Sequence, residues 1–259
     1  SDIFKTFFFQ ETVLFCIVGV FLLVVVNMVF NKNERIEKSR IAFTGAAAHE
    51  LKTPLAVTAN LCECVIENIL PEKNNEYISS IYDETRRMSK MVATLLRYNR
   101  INSVKVINKT KNNVSDIMKT ELQKYDTLIN DKGIAVETQI EDEVYINCNA
   151  ELIELVIDNY LSNAIKHSDD NGVIRASVLG KRGKAVVSVY NKGKQISKEN
   201  AKHIWEEFYR EDKARNSKDN STGMGLAICK NILERHNYKY GFKNIDNGVE
   251  FNFTAKQTK

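Results

Sequence analysis

His49 is the residue best suited to covalent chemistry, because it lies in a helix-forming stretch where packing gives it little reason to be. The apolar seam of that stretch passes through Ala47, so the spacing predicts an outward-facing imidazole. A neutral imidazole is a competent nucleophile near pH 7 when one nitrogen attacks and the other is held. Glu50 follows directly and offers a carboxylate to the second nitrogen. The pattern favours a nucleophile over the more common structural histidine.

Two further residues lie about one helical turn past His49. Thr53 is four residues on, so its hydroxyl shares the face of His49 and can orient a water molecule. Pro54 removes a backbone donor and crowds the carbonyl of Glu50, at a cost of about 3 kcal/mol in a helix interior. A proline at this point therefore indicates a constraint on the helix.

A second polar group lies in the later part of the chain. Asn159, Asn163 and Lys166 fall at i, i+4 and i+7, which places them on one helix face. An amide oxygen is a hard ligand that suits Mg²⁺, and a lysine can meet phosphate. The spacing fits a metal and phosphate site, and it also fits a helix with a solvated polar stripe.

The elements that must position His49 are helical. Val13–Phe30 has Asn27 as its only polar residue, and about 27 Å of helix is close to one hydrocarbon thickness. We expect a membrane span here, with a buried core helix as the alternative. The Lys and Arg residues that follow place the C-terminal side in the cytoplasm, so we expect the plasma membrane with a cytoplasmic remainder.

Two amphipathic segments follow, one through His49 and one after a break at Pro71, with apolar residues in steps of three and four. They predict a helical hairpin. Nothing in the sequence separates the apolar segment from this hairpin, so the two helices can be continuous. A lone hairpin buries too little surface, and we expect two copies to pair as a four-helix bundle in a homodimer.

Beyond residue 103 the patterns of strands and helices alternate. Strands are predicted at 104–109, 134–140, 144–147, 173–179, 185–190, 238–243 and 248–254, and helices at 114–130, 150–167, 198–208 and 223–236. Such an order predicts an α+β sandwich with one mixed sheet covered by helices. The predicted domains are a transmembrane segment with flanks (1–31), the hairpin (32–103) and the α+β domain (104–259). A net charge of only +4 argues against a nucleic-acid partner.

The seven residues from His49 to Leu55, His-Glu-Leu-Lys-Thr-Pro-Leu, resemble the H box of the sensor histidine kinases of two-component systems. The resemblance implies that His49 is autophosphorylated from ATP. It further implies transfer of the phosphoryl group to an aspartate in the receiver domain of a cognate response regulator. Glu50 would assist His49 in the kinase step, and Thr53 would matter for dephosphorylating the regulator.

The segment Asp158–Ser168 resembles the N box of the same kinases. The resemblance implies the two-layer α+β sandwich of the GHKL (Bergerat) ATPases, which gyrase-type and chaperone ATPases share. Asn163 would be the Mg²⁺ ligand, and Lys166 and His167 would lie near the phosphates of ATP. Hydrolytic relatives carry a glutamate base where this chain has Asn159. Asparagine cannot take a proton from water, so simple hydrolysis is disfavoured.

Three more segments resemble the remaining ATP-binding motifs of that family. Asn191-Lys-Gly193 resembles the G1 box, with Asn191 in place of the usual aspartate that contacts the adenine amine and Gln195 in place of its second glycine. A neutral acceptor there costs on the order of 1 kcal/mol, about fivefold in affinity. Trp205–Arg210 resembles the F box, with Arg210 as a phosphate contact.

Ser221–Leu226 resembles the G2 box, in which Gly223, Gly225 and Leu226 belong to the nucleotide site. Glycines there let backbone N–H groups approach phosphate at the start of a helix. By the same resemblance, residues 197–222 form a lid over ATP.

Three functions follow as hypotheses. The first is a membrane-bound sensor histidine kinase that also dephosphorylates its regulator. The second is a degenerate kinase that acts as a signalling scaffold or mainly as a phosphatase, motivated by Asn191 and Gln195. The third is an ATPase driven by hydrolysis, against which Asn159 and the motif around His49 both count.

Overall fold

The computed structural model describes the backbone of residues 2–104, 106–211 and 222–258; among these, side chains are described from residue 20 onward except at 32, 33, 35, 36, 39, 40 and 42. The helices are α1 (Asp2–Ile66), α2 (Asn74–Ser103), α3 (Val114–Gln123), α4 (Asp126–Asp131), α5 (Ala150–His167) and α6 (Gly225–His236). The strands are β1 (Thr110–Asn113), β2 (Ala135–Ile140), β3 (Tyr145–Cys148), β4 (Val173–Lys181), β5 (Lys184–Lys192), β6 (Lys239–Ile245) and β7 (Gly248–Lys256). The chain forms two compact units, residues 1–60 and 61–259.

Helix α1 runs without interruption from Asp2 to Ile66, so the predicted apolar segment and the helix of His49 are continuous. Pro54 lies inside it and is buried. Of the helices in the described part of the chain, none is both long and apolar enough to span a bilayer. The predicted span Val13–Phe30 begins outside the residues whose side chains are described, which start at Val20.

The connection between α1 and α2 explains where the hairpin turns. Asn68 adopts a positive φ of 56°, and the N–H of Ile69 donates to the carbonyl of Cys64 at 2.9 Å. This pattern is a Schellman cap with asparagine in the left-handed position. Leu70 is also left-handed, at φ 53°, although a residue before proline usually adopts the extended region. Pro71 then begins a 3₁₀ turn that leads into α2, so the predicted break is confirmed.

The sheet of the second unit is mixed, as predicted. In the described residues its strand order is β2-β4-β5-β7-β6, with β2 parallel to β4 and the other neighbours antiparallel. Strands β1 and β3 form a separate antiparallel pair. Helices α3, α5 and α6 cover the sheet, and α5 contributes its apolar face to the core. The fully buried residues of α5 include Ile153, Val156, Ile157 and Leu161.

Several predicted elements differ from the structure. The strand predicted at 104–109 is wrong, because α2 continues to Ser103 and pairing with β3 begins only at Thr110. The helix predicted at 114–130 breaks between Gln123 and Asp126. The helix predicted at 198–208 is wrong: only a 3₁₀ turn at Asn200–Lys202 forms. The last predicted helix begins at Gly225, not at Gly223, whose φ of 68° is not helical.

The start of α5 is fixed by α6. The side chain of Asn149 caps α5 by accepting from the N–H of Leu152 at 3.1 Å. The backbone N–H of Asn149 donates to Nε2 of His236 at 3.1 Å, and Nδ1 of His236 donates to the carbonyl of Ile232 at 2.8 Å. Burial lowers the pKa of His236, and Lys109 and Arg235 add to this, so the ring stays neutral. The start of α5 is therefore fixed against the end of α6, and these are the helices that carry the N and G2 motifs.

Candidate active site

His49 lies on an exposed face of α1, as the seam at Ala47 predicts, and Ala47 itself is 9% exposed. Glu50 is half-buried beside it. One turn earlier, Gly45 leaves open space: a side chain added there would meet nothing within 4 Å. Helical side chains lean toward the N-terminus of their helix, so the imidazole leans over a position without a side chain. The histidine is open to an incoming reactant.

Thr53 holds its hydroxyl toward the backbone. Its Oγ1 donates to the carbonyl of His49 at 3.5 Å, and the residue is half-buried. Such a bond to the carbonyl four residues earlier is common for threonine in helices. The hydroxyl therefore lies one turn from the imidazole on the same helix, and its lone pairs remain available to a water molecule.

On α5, Asn159 is fixed by two contacts. Its Nδ2 donates to the carbonyl of Leu155 at 2.7 Å. Its Oδ1 lies only 2.6 Å from the point that a Cβ at residue 225 would occupy. A larger residue at 225 would displace this side chain, so the structure brings the N motif directly against the start of α6.

Asn163 is half-buried on the next turn of α5. Among residues 2–104, 106–211 and 222–258 no hydrogen bond occupies its amide, and its polar atoms are not among the buried ones without partners. The amide oxygen is therefore accessible to a ligand. A neutral, hard oxygen donor of this kind fits Mg²⁺ bound to phosphate.

The C-terminal end of α5 meets the end of β5. A Cβ at Gly193 would lie 2.3 Å from the carbonyl oxygen of His167, and Gly193 has φ 153°, so glycine is required. The Nδ2 of Asn191 donates to the same carbonyl at 3.2 Å and to the carbonyl of Lys192 at 3.5 Å. The G1 and N motifs are thus joined through one carbonyl group.

These contacts fix the orientation of the Asn191 side chain. Asn191 is 4% exposed. Since two carbonyl oxygens face its Nδ2, the amide cannot be flipped, and Oδ1 must point the other way. In the described part of the chain Oδ1 accepts no hydrogen bond and is not a buried unpaired atom. It is positioned to accept a hydrogen bond from a ligand.

Asn191→Asp is expected to destabilise the second unit, although the family usually carries aspartate here. The carboxylate would face the carbonyls of His167 and Lys192 without a donor, at a cost of about 1–3 kcal/mol. Urea denaturation of the two proteins measures the difference in unfolding free energy. Asn99→Asp, at an exposed position of α2, controls for the change in charge. An Asn191→Asp protein as stable as the control would contradict the assigned orientation.

Phe208 and Gly223, which lie before and after residues 212–221 in the chain, are in contact through their backbones. Phe208 adopts φ 62°, which is strained for an aromatic residue. A Cβ at Gly223 would lie 2.8–3.0 Å from the Cα, carbonyl carbon and carbonyl oxygen of Phe208. Gly223 itself has φ 68°. The F and G2 motifs are therefore packed backbone to backbone, which no local sequence pattern predicts.

The remaining predicted residues flank these contacts. Lys166, Arg210 and Leu226 are half-buried, and the side chain of His167 is exposed. Part of the predicted lid, residues 197–222, lies outside the described residues, which omit 212–221. Near the F motif, Trp205 packs edge-on against Tyr240 and Phe251, at 4.9 and 5.9 Å between ring centroids.

Two residues that join α2 to this site have no recognisable signal in the sequence. The hydroxyl of Tyr98 donates to Oε1 of Glu207 at 2.7 Å, across 109 positions of sequence. Tyr98 fits an ordinary amphipathic helix. Glu207 lies inside the F motif, and the sequence predicts no role for it. Only the tertiary structure brings them together.

Two family models match the chain. Residues 39–104 match the His Kinase A (phospho-acceptor) domain, and residues 148–259 match the histidine kinase-, DNA gyrase B- and HSP90-like ATPase. Among curated proteins, the chain is 30% identical over 234 residues to the sensor histidine protein kinase HK06 of Streptococcus pneumoniae, covering 89% of the chain and 52% of that protein. It is 31% identical over 209 residues to the sensor histidine kinase YclK of Bacillus subtilis, covering 78% and 43%. The chain thus spans about half the length of these relatives.

Solved structures agree with the fold. The nucleotide-free catalytic domain of histidine kinase ThkA superposes with a TM-score of 0.52 at 26% identity, covering 58% of this chain and 96% of that one. The complex of ThkA with the response regulator protein TrrA gives a TM-score of 0.68 at 24% identity, covering 83% of this chain and 61% of that one. The second of these likenesses bears on the fold alone.

Proposed function

The chain belongs to the sensor histidine kinases of two-component systems, and from that membership we propose that it transfers the γ-phosphoryl group of ATP to His49 and then to a response regulator. The observation that carries this proposal is the exposed histidine of α1, in a chain whose four proposed ATP-site motifs are linked by direct contacts.

The nucleotide site is proposed from the residues that these contacts bring together. Oδ1 of Asn191 would accept a hydrogen bond from the adenine amine. The amide of Asn163 would hold Mg²⁺, which supplies charge neutralisation at the phosphates when it is bound. Lys166, His167 and Arg210 would contact phosphate oxygens, and the backbone at Gly223 and Gly225 would approach the phosphates at the start of α6.

The chemical step is a nucleophilic displacement at phosphorus. One imidazole nitrogen of His49 bonds to the γ-phosphorus, and the bond from that phosphorus to the bridging β–γ oxygen breaks, so that ADP leaves. Glu50 accepts the proton of the second imidazole nitrogen and stabilises the charge that develops on the ring. Asn159 lacks a carboxylate that would activate water, which favours transfer over hydrolysis.

Incubation of the protein with Mg²⁺ and ATP labelled at the γ-position tests the proposal. We expect label that is retained by the protein, is lost in acid and survives alkali, while ATP labelled at the α-position gives none. Sustained phosphate release without labelled protein would instead favour an ATPase. Failure to bind ATP at millimolar concentration would favour a signalling scaffold.

We also propose a homodimer formed through α1 and α2. Apolar residues of the predicted seams are exposed in the single chain, with Leu55 60%, Ile78 53% and Val92 43% exposed. Covering them would stabilise a bundle at about 25 cal/mol per Å² of apolar surface. Sedimentation equilibrium is expected to give twice the monomer mass of 29.6 kDa, and a monomer at micromolar concentration would contradict the proposal.

A plasma-membrane location with the kinase region in the cytoplasm is proposed from the apolar composition of Val13–Phe30 and the basic residues after it. Fractionation of cells that produce the chain tests this. Recovery in the fraction that sediments with membranes and resists carbonate extraction is expected. Recovery in the soluble fraction would overturn it.

Thr53→Ala is expected to preserve phosphorylation of His49 and to lower dephosphorylation of the regulator about 100-fold. The reason is that the Thr53 hydroxyl, one turn from the imidazole, would orient the attacking water. Loss of label from a phosphorylated receiver domain measures this activity. Thr53→Ser, which keeps the hydroxyl, is the matched control. Loss of both activities in Thr53→Ala would show a structural role instead.

A further inference from the structure

The last turns of α2 contact the F motif and helix α6, within the same compact unit, through polar groups. Tyr98 donates to Glu207 at 2.7 Å, and Asn231 of α6 donates to Oδ1 of Asn102 at 2.6 Å. The guanidinium of Arg235 donates to the carbonyls of Ile101 and Val104 at the end of α2. These contacts link α2 both to the F motif and to the helix of the G2 motif.

Charged and polar groups surround this junction. Tyr98 and Ile101 are buried, at 9% and 6% exposed. An open cavity of about 620 Å³ lies beside Ile101, and most of the residues that line it are charged or polar, among them Arg97, Arg100 and Asp158. The apolar contact at this junction is therefore limited, and the polar contacts contribute to the attachment.

The Tyr98 hydroxyl is protonated and donates to the carboxylate of Glu207. Burial and the hydrogen bond to Glu207 raise the pKa of Tyr98 to about 12, so the hydroxyl keeps its proton at physiological pH. A hydrogen bond to a carboxylate is stronger than one between neutral groups. The pair is partly buried, which limits its competition with water.

Glu207 is joined to the nucleotide site by a short chain of contacts. Its neighbour Phe208 has a left-handed backbone. The backbone of Phe208 packs so closely against Gly223 that a Cβ atom at residue 223 would clash with it. Two residues on, Gly225 lies against Oδ1 of Asn159 on α5. A displacement of Glu207 would therefore move the backbone of the F and G2 motifs, which the proposed function places near the phosphates.

We propose that Tyr98 is a positioning residue for the nucleotide site: through Glu207 it holds the Phe208–Gly223 backbone contact and so makes ATP affinity depend on the position of α2. This inference rests on the proposed function, since it concerns the same ATP site. It gives α2 a second role besides forming the hairpin. A shift of α2 would alter nucleotide binding through one hydrogen bond.

Tyr98→Phe tests the inference, with Tyr82→Phe as the matched control. Tyr82 lies on the same helix and is 62% exposed, and the cation–π contact of its ring with Arg86 survives the loss of the hydroxyl. We expect Tyr98→Phe to raise the Kd for Mg²⁺–ATP about tenfold and the control to leave it unchanged. In the nucleotide-free proteins, amide exchange at residues 206–209 and 223–226 should quicken in Tyr98→Phe alone.

A double-mutant comparison separates coupling from general destabilisation. Glu207→Ala should weaken ATP binding to the same extent, and Tyr98→Phe should add nothing in that background. Additive effects would overturn the inference, as would an unchanged Kd with unchanged exchange in Tyr98→Phe. If the wild-type protein does not bind ATP, the proposed function fails, and the exchange rates alone then decide whether Tyr98 holds this backbone.

Discussion

His49→Gln is expected to remove all transfer of the γ-phosphoryl group to the protein while the Kd for Mg²⁺–ATP stays within twofold of wild type. Glutamine has no nucleophilic nitrogen comparable to imidazole, and residue 49 lies on α1, outside the unit that carries the ATP-site motifs. Labelling with γ-labelled ATP and equilibrium binding measure the two quantities.

The control for this variant is Ala59→Gln, which places the same side chain at an exposed position of the same helix. It should label as wild type does. Residual label in His49→Gln that equals the control would show that another residue accepts the phosphoryl group. A loss of ATP binding together with labelling would show that the substitution acts on the nucleotide site.

Asn163→Ala is expected to lower the rate of phosphorylation at least about 100-fold, or about 2.7 kcal/mol of transition-state stabilisation. Its amide oxygen is accessible, and no hydrogen bond in the described residues engages it, so its removal breaks no hydrogen bond among those residues. Initial rates of labelling at several Mg²⁺ concentrations measure the effect.

If Asn163 holds the metal, raising the Mg²⁺ concentration should partly restore the rate in the variant. Asn130→Ala, at an exposed position of α4, is the control and should match wild type. A variant that labels at the wild-type rate, or one whose melting temperature falls far below the control, would contradict a ligand role for Asn163.

The long helices and most strands follow from the sequence because their signals are local. Helix α5 has its cap at Asn149 and its amphipathic period in the residues themselves, and its predicted bounds, Ala150–His167, match the structure. The strand prediction at 104–109 is wrong because an alternating pattern does not show where a partner strand lies, and the structure pairs this part of the chain with β3 only from Thr110 onward. That partner is about 40 residues away in the chain.

The candidate site is also only partly predictable from the sequence. The sequence predicts that Asn159 and Asn163 share one helix face and that His49 is exposed. The sequence does not predict three features of the site: the contact of Phe208 with Gly223, the orientation of the Asn191 side chain, and the hydrogen bond from Tyr98 to Glu207. Each depends on a backbone conformation or a tertiary contact that many sequences would satisfy. Asn191 shows the difference most clearly. From the sequence, asparagine in place of the family's aspartate suggests a weakened ATP site, but in the structure its Nδ2 donates to the carbonyls of His167 and Lys192.

The most direct test of the central claim is to locate the phosphoryl group. Wild-type protein is incubated with Mg²⁺ and ATP, digested at neutral to mildly alkaline pH to preserve a phosphoramidate bond, and mapped by mass spectrometry. We predict one phosphorylated peptide, with the added group on His49. Phosphate on a serine, threonine or aspartate, or on a histidine other than His49, would contradict the account.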